Sequence, residues 1–138
     1  MNSSDKDSIQ FIQKQFKNNW NLDLKITSNE FSQEDLVFTH NNKNHSVEVK
    51  RRRFNSNKYP TTIIEKSKYE YLLSHNGILV VVFDDCWIII KNLKNAFVRE
   101  TQKYARKTTD FKNQNWVMKD FIELKFDNLV KYKSPLSL

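Results

Sequence analysis

The stretch ILVVVFDDCWIIIK, residues 78–91, limits the folds open to this chain more than any other feature. Two short apolar runs, 78–83 and 86–91, flank Asp84 and Asp85, the pattern of a β-hairpin. The first run offers no polar residue to either side of a strand, so both of its faces need cover. Such a strand belongs inside a sheet with helices packed on it, an α/β arrangement. The run is also far shorter than the roughly 20 residues that cross a bilayer, so no membrane partner is expected.

The segments before it supply the rest of that architecture. Ile9, Ile12 and Phe16 share one helical face, predicting an amphipathic helix over 8–18. Trp20, Leu22, Leu24 and Ile26 alternate with polar residues, the period of a half-buried strand. Turn formers over 29–34 lead to two further strands joined by Asn41, Asn42, Lys43 and Asn44. Residues 55–60 read as a loop. A second helix is expected to start at Ser67, capped in a box with Glu70, and to stop at Gly77. Leu93, Phe97, Thr101 and Tyr104 have helical spacing, whereas 119–126 alternates like a strand. With only one glycine and two prolines in 138 residues, repeats and long flexible linkers are excluded, and a single domain spanning 1–138 is expected.

The net charge of +7 points to a polyanionic partner. The lone cysteine, Cys86, rules out a disulfide framework and suits a reducing, cytoplasmic compartment; it is expected in the core. The N-terminus, MNSSDKDSIQ, lacks the apolar run of a signal peptide.

Charge and chemistry meet in DLVFTHNNKNHSVEVKRRR, residues 35–53. A hairpin centred between Asn42 and Lys43 would set Asp35 opposite Lys50 and Val37 opposite Glu48. Leu36, Phe38, Val47 and Val49 then share one face, and Asp35, Glu48 and Lys50 share the other. Two gathered carboxylates raise each other's pKa unless a cation neutralises them. Hard oxygen ligands completed by water and phosphate suit Mg²⁺, with Mn²⁺ as a substitute. Lys50, roughly 7 Å along the strand from Glu48, can orient an attacking water or stabilise charge developing on a phosphate. Arg51, Arg52 and Arg53 would meet flanking phosphates.

Asp35 followed by Glu48-Val49-Lys50, on a hairpin between a helix–strand unit and a second helix, resembles the PD-(D/E)XK nuclease superfamily. The resemblance covers about residues 8–91, leaving 92–138 as a C-terminal extension. It implies an α/β, restriction-endonuclease-like or Holliday-junction-resolvase-like core, a mixed central β-sheet flanked by helices in α-β-β-β-α-β order. It also implies Mg²⁺-dependent hydrolysis of phosphodiesters in DNA, directed by structure or ends more than by sequence. Asp35, Glu48 and the Val49 main-chain carbonyl become metal ligands and Lys50 the catalytic lysine. In many members the second helix borders the site, which makes Lys66 and Lys68 candidates for phosphate contact, with a solvated helix face as the other reading, and Lys58 joins them from the preceding loop.

The chain departs from the family pattern in two places. Glu34 stands where the family's proline would be, and the first helix carries Gln10, Gln13 and Gln15 in place of the glutamate many members use. The second departure puts a second metal site in question, with Glu30 or Glu34 as substitutes. It also keeps open a non-cleaving nucleic-acid-binding protein on the same fold; an RNA-directed nuclease is the other alternative. A decoy exists as well, since Asp110 precedes Glu123-Leu124-Lys125 by the same 13 positions that separate Asp35 from Glu48. Too little chain follows Lys125 to complete the core, so the first set is preferred. Tyr59 and Tyr69 are candidates for base stacking or for packing, and Arg99, Lys103, Arg106 and Lys107 for a phosphate-binding helix face or a solvated one. A homodimer is compatible with the sequence without being required by it.

Overall fold

The computed structural model describes residues 3–27, 34–106, 116–126 and 129–133. Helix α1 (Ser3–Trp20) turns Ile9, Ile12 and Phe16 inward, and each is at most 3% exposed. Burying such side chains contributes about 1.5–3 kcal/mol each. The helix ends where Asn21 takes a left-handed φ of 53° and its N–H bonds the Lys17 carbonyl at 2.9 Å. Trp20 therefore closes the helix, and the expected strand shrinks to β1 (Lys25–Ile26).

The central sheet has the order β1-β2-β3-β5-β6-β9, where β2 is Leu36–His40, β3 Lys43–Arg51, β5 Ile78–Val82, β6 Cys86–Ile90 and β9 Tyr132–Lys133. Only β3 and β5 run parallel, so the sheet is mixed. The 78–91 hairpin forms as expected, with β5 in the interior of the sheet and Leu79, Val80, Val81 and Val82 all buried. One face packs Val47, Val49, Val80, Val82 and Trp87 on α1. The other packs Leu79, Val81, Ile88 and Ile90 on α2 (Lys66–Ser74) and on residues of a second sheet. Buried Cys86 belongs to that second cluster.

The β2–β3 register differs from the expected one by two residues: Leu36 faces Val47 and His40 faces Lys43. Asn41 and Asn42 form the two-residue loop, with φ of 52° and 62°. A tight hairpin turn of this hand needs positive φ at both central positions, and asparagine tolerates that far better than lysine. Because side chains alternate with period two, a two-residue slip leaves every residue on the face expected for it.

The second sheet, β4-β8-β7, was not anticipated. Strand β4 (Thr61–Glu65) is the β-branched run ahead of α2, and it pairs with β8 (Trp116–Lys125), which pairs with β7 (Phe97–Arg106). The helix expected through 93–104 is thus only one turn, α3 (Leu93–Ala96), before β7 begins. The ladder between β7 and β8 overrides the weak helical spacing, as tertiary pairing often does. The extension beyond residue 91 is bound to the core twice, through β8 on β4 and through β9 on β6.

Helix α2 starts at Lys66 with no side-chain cap bond at Glu65, so the Ser67 box is not used. At its other end Asn76, not Gly77, takes the left-handed φ, of 50°. Gly77 serves a steric need: a Cβ there would lie 2.6 Å from Leu72 Cβ and Cδ2 and 2.7 Å from its Cα. Gly77→Ala is expected to cost about 1–3 kcal/mol by overpacking, read as a lower urea midpoint.

Candidate active site

Glu48 lies on the α2 side of β3, next to Leu79 of β5 in the parallel ladder, and is 3% exposed. A carboxylate so buried needs partners. Lys50 Nζ lies 3.4 Å from Glu48 Oε1, and Lys68 Nζ, from the first turns of α2, lies 3.4 Å from Oε2. Asp35 stands one residue before β2, where the observed register brings it level with Glu48. Its Oδ2 accepts the Val49 N–H at 2.9 Å. Within a strand a residue's N–H and carbonyl point the same way, so the Val49 carbonyl also turns to the Asp35 side.

Burial pushes the Glu48 carboxyl above its ordinary value, and the nearby Asp35 charge pushes it further; Lys50 and Lys68 oppose both. The structure therefore brings Asp35, Glu48, Val49, Lys50 and Lys68 together. Lys68, a candidate for phosphate contact, lies against Glu48. Tyr71, one helical turn beyond Lys68, donates to Glu34 Oε2 at 3.2 Å. That residue escaped the sequence reading, although the three-residue spacing from Lys68 puts both on one helix face.

The arginine run divides. The Arg51 guanidinium is buried and pairs with Asp84 at 2.5 Å, while also donating to the Val82 and Arg52 carbonyls. It ties β3 to the β5–β6 turn and does not reach out to a phosphate, contrary to expectation; strand alternation turns it away from the Glu48 face. Arg52 does share that face. It donates to the Ile63 carbonyl at 2.7 Å and to Thr62 Oγ1 at 3.4 Å, joining the two sheets. Arg53 is exposed. Lys58 is exposed over the Phe54 and Tyr59 rings, with Nζ 5.4 and 5.6 Å from their centroids. Lys66, at the start of α2, pairs with Glu100 at 2.9 Å. Buried Tyr69 is packing, whereas Tyr59 is half exposed.

No family model and no curated protein matches the sequence. Among solved structures, the chain is similar to Hjc of Archaeoglobus fulgidus, a Holliday junction resolvase from an archaeal hyperthermophile. The TM-score is 0.54 at 11% identity, over 91% of this chain and 91% of that one. The likeness is one of fold: a mixed sheet flanked by helices, of the resolvase or restriction-endonuclease-like kind.

Resolvase-like nucleases typically use divalent metals, and the donor set of this chain can be tested against one. Among the described residues no three His, Cys, Asp or Glu side chains converge. Mg²⁺ asks for less: one or two carboxylates, with water and substrate phosphate completing its shell. Two oxygen-donor carboxylates, Asp35 and Glu48, fit that requirement, and the Asp35 charge pushes the Glu48 carboxyl up where a cation would relieve it. Of the decoy pair, Glu123 sits on β8 paired with Arg99 at 3.2 Å. Asp110, Glu30 and Lys107 lie outside the described residues.

Proposed function

We propose that the chain is a metal-dependent nuclease that hydrolyses phosphodiester bonds in DNA, with Asp35 and Glu48 as metal ligands, the Val49 carbonyl as a third and Lys50 as the catalytic lysine. The observation that carries this reading is the buried Glu48 carboxylate level with Asp35 and held at 3.4 Å by Lys50, on a resolvase-like fold. Mg²⁺, or Mn²⁺ in its place, would polarise the scissile phosphate and make an attacking water more acidic. Lys50, its side chain about one-third exposed, carries the positive charge that meets the developing negative charge on the phosphate. Lys68 positions Glu48 from the helix side. Asp35 is fixed by the Val49 N–H, so both carboxylates are preorganised by the sheet itself.

Resolvase activity on a four-way junction is what the structural neighbour's name reports of that protein; for this chain we infer a preference for branched, flapped or terminal DNA over long sequence motifs. A cytoplasmic location and a dimer on such DNA belong to the same reading. The test is incubation with four-way, flapped, single- and double-stranded DNA and with RNA, with and without Mg²⁺ or Mn²⁺. Cleavage of DNA that requires metal is expected. Equal cleavage in chelator would remove the metal from the account, and cleavage of RNA alone would redirect it to an RNA-directed nuclease.

One observation favours a second reading. Both Glu48 oxygens face lysines, so the charge is partly balanced by protein alone. A non-cleaving nucleic-acid-binding protein would show salt-sensitive binding and no product from any of these substrates.

A further inference from the structure

Beside Lys50 and Arg52 a cleft of about 610 Å³ opens onto the second sheet. Its floor is the outer face of that sheet. In the observed register Ile63 and Glu65 of β4, Phe121 and Glu123 of β8 and Lys103 of β7 all point to it, while Ile64, Ile122 and Leu124 point to the core. The two acids on this face are matched internally, Glu65 by Lys119 at 3.3 Å and Glu123 by Arg99 at 3.2 Å. The cations have less to satisfy them. Arg52 is bonded to a carbonyl and a hydroxyl, with no carboxylate among its described partners. Lys103 lies directly opposite Lys119 across the β7–β8 ladder, a like-charge pairing that costs stability. An anion laid along the face would relieve it. Aromatic surface completes the wall: Tyr59 is 50% exposed at the cleft, edge-on to Phe54 at 5.3 Å.

We propose that this face is a binding site for an unpaired nucleic-acid strand leading to the Glu48–Lys50 centre, a proposal that rests on the nucleic-acid reading above but not on cleavage. An antiparallel sheet face with cations at its margins and exposed rings suits bases freed from stacking. Duplex DNA keeps those base faces hidden. The phosphates lie toward Arg52 and Lys103, and bases lie over Tyr59 and the Ile63–Phe121 floor. The site gives the proposed nuclease its preference for flaps and ends: the strand must be unpaired to enter.

The test is fluorescence anisotropy of the full chain in chelator, with labelled oligothymidylate, oligouridylate and a blunt duplex. The proteins compared are wild type, Tyr59→Ala and Lys103→Glu. Wild type is expected to bind oligothymidylate more tightly than duplex. Tyr59→Ala and Lys103→Glu should each weaken that binding by about tenfold, and duplex binding less. Both positions are exposed, so urea midpoints near that of wild type will show that the fold is kept. Oligouridylate binding as tight as oligothymidylate supports a site that reads unpaired strands of either sugar. Unchanged oligothymidylate binding in both variants, or duplex bound as tightly as the strand and weakened equally, overturns the proposal. Binding is read in chelator, where nothing is cleaved, so a failed cleavage assay leaves this site standing, and failure here leaves the cleavage proposal to its own test.

Discussion

Glu48→Gln is expected to lower metal-dependent cleavage by on the order of a thousandfold, because several kcal/mol of charge stabilisation by a bound metal disappear with one of its two carboxylates. The substitution is nearly isosteric, and Glu48 is 3% exposed, so the loss cannot be blamed on a collapsed core. Glutamine keeps an acceptor oxygen for Lys50 or Lys68 and removes the charge that the metal needs. The check is a single-turnover assay on flapped DNA with saturating Mg²⁺. A rate within threefold of wild type (about 0.65 kcal/mol) would take Glu48 out of the chemistry.

The same substitution has an opposite expected effect on the metal-free fold. Burial and Asp35 raise the folded-state pKa of Glu48 above 4.5, and Lys50 and Lys68 offset only part of that. Well below 4.5 the carboxyl is protonated folded or unfolded, and its burial costs little. As pH rises from 4.5 through the folded pKa, the unfolded chain releases the proton first, so this group's contribution to stability falls. At neutral pH the ionised, buried group is a net liability. Metal-free Glu48→Gln should therefore melt at a higher temperature than wild type at pH 7, with the gap closing as pH approaches 4.5. Saturating Mg²⁺ should reverse the order, since a ligand that binds only the folded state stabilises it. A variant less stable than wild type in chelator at pH 7 would mean that the two lysines fully compensate the charge. Such a trade of stability for function is common at active sites.

Much of this arrangement was legible in the residues themselves. The apolar 78–83 run announced a strand covered on both faces, and β5 is that strand. Alternation along 35–50 put Asp35, Glu48 and Lys50 on one side before any register was known, because the faces survive a two-residue slip. The register itself is readable in Asn41-Asn42, the adjacent pair best able to adopt positive φ at both turn positions. What the sequence concealed depends on pairing at a distance. Thr61–Glu65 looks like an approach to a helix until Trp116–Lys125 pairs with it, and Phe97–Arg106 mixes both propensities. Arg51 and Arg52 are neighbours in sequence but point to opposite sides of β3, and only the fold shows that Asp84 waits for the first. Lys68 could be named as a site residue, but its partner could not, since Glu48 is 20 positions away.

The central claim is that Asp35 and Glu48 together hold a divalent metal, and Mn²⁺ binding followed by electron paramagnetic resonance tests it without nucleic acid or turnover. The account predicts that wild-type protein quenches the free Mn²⁺ signal saturably, and that Asp35→Asn and Glu48→Gln each weaken this binding by at least about tenfold. Mn²⁺ binding by the double variant equal to that of wild type would contradict it.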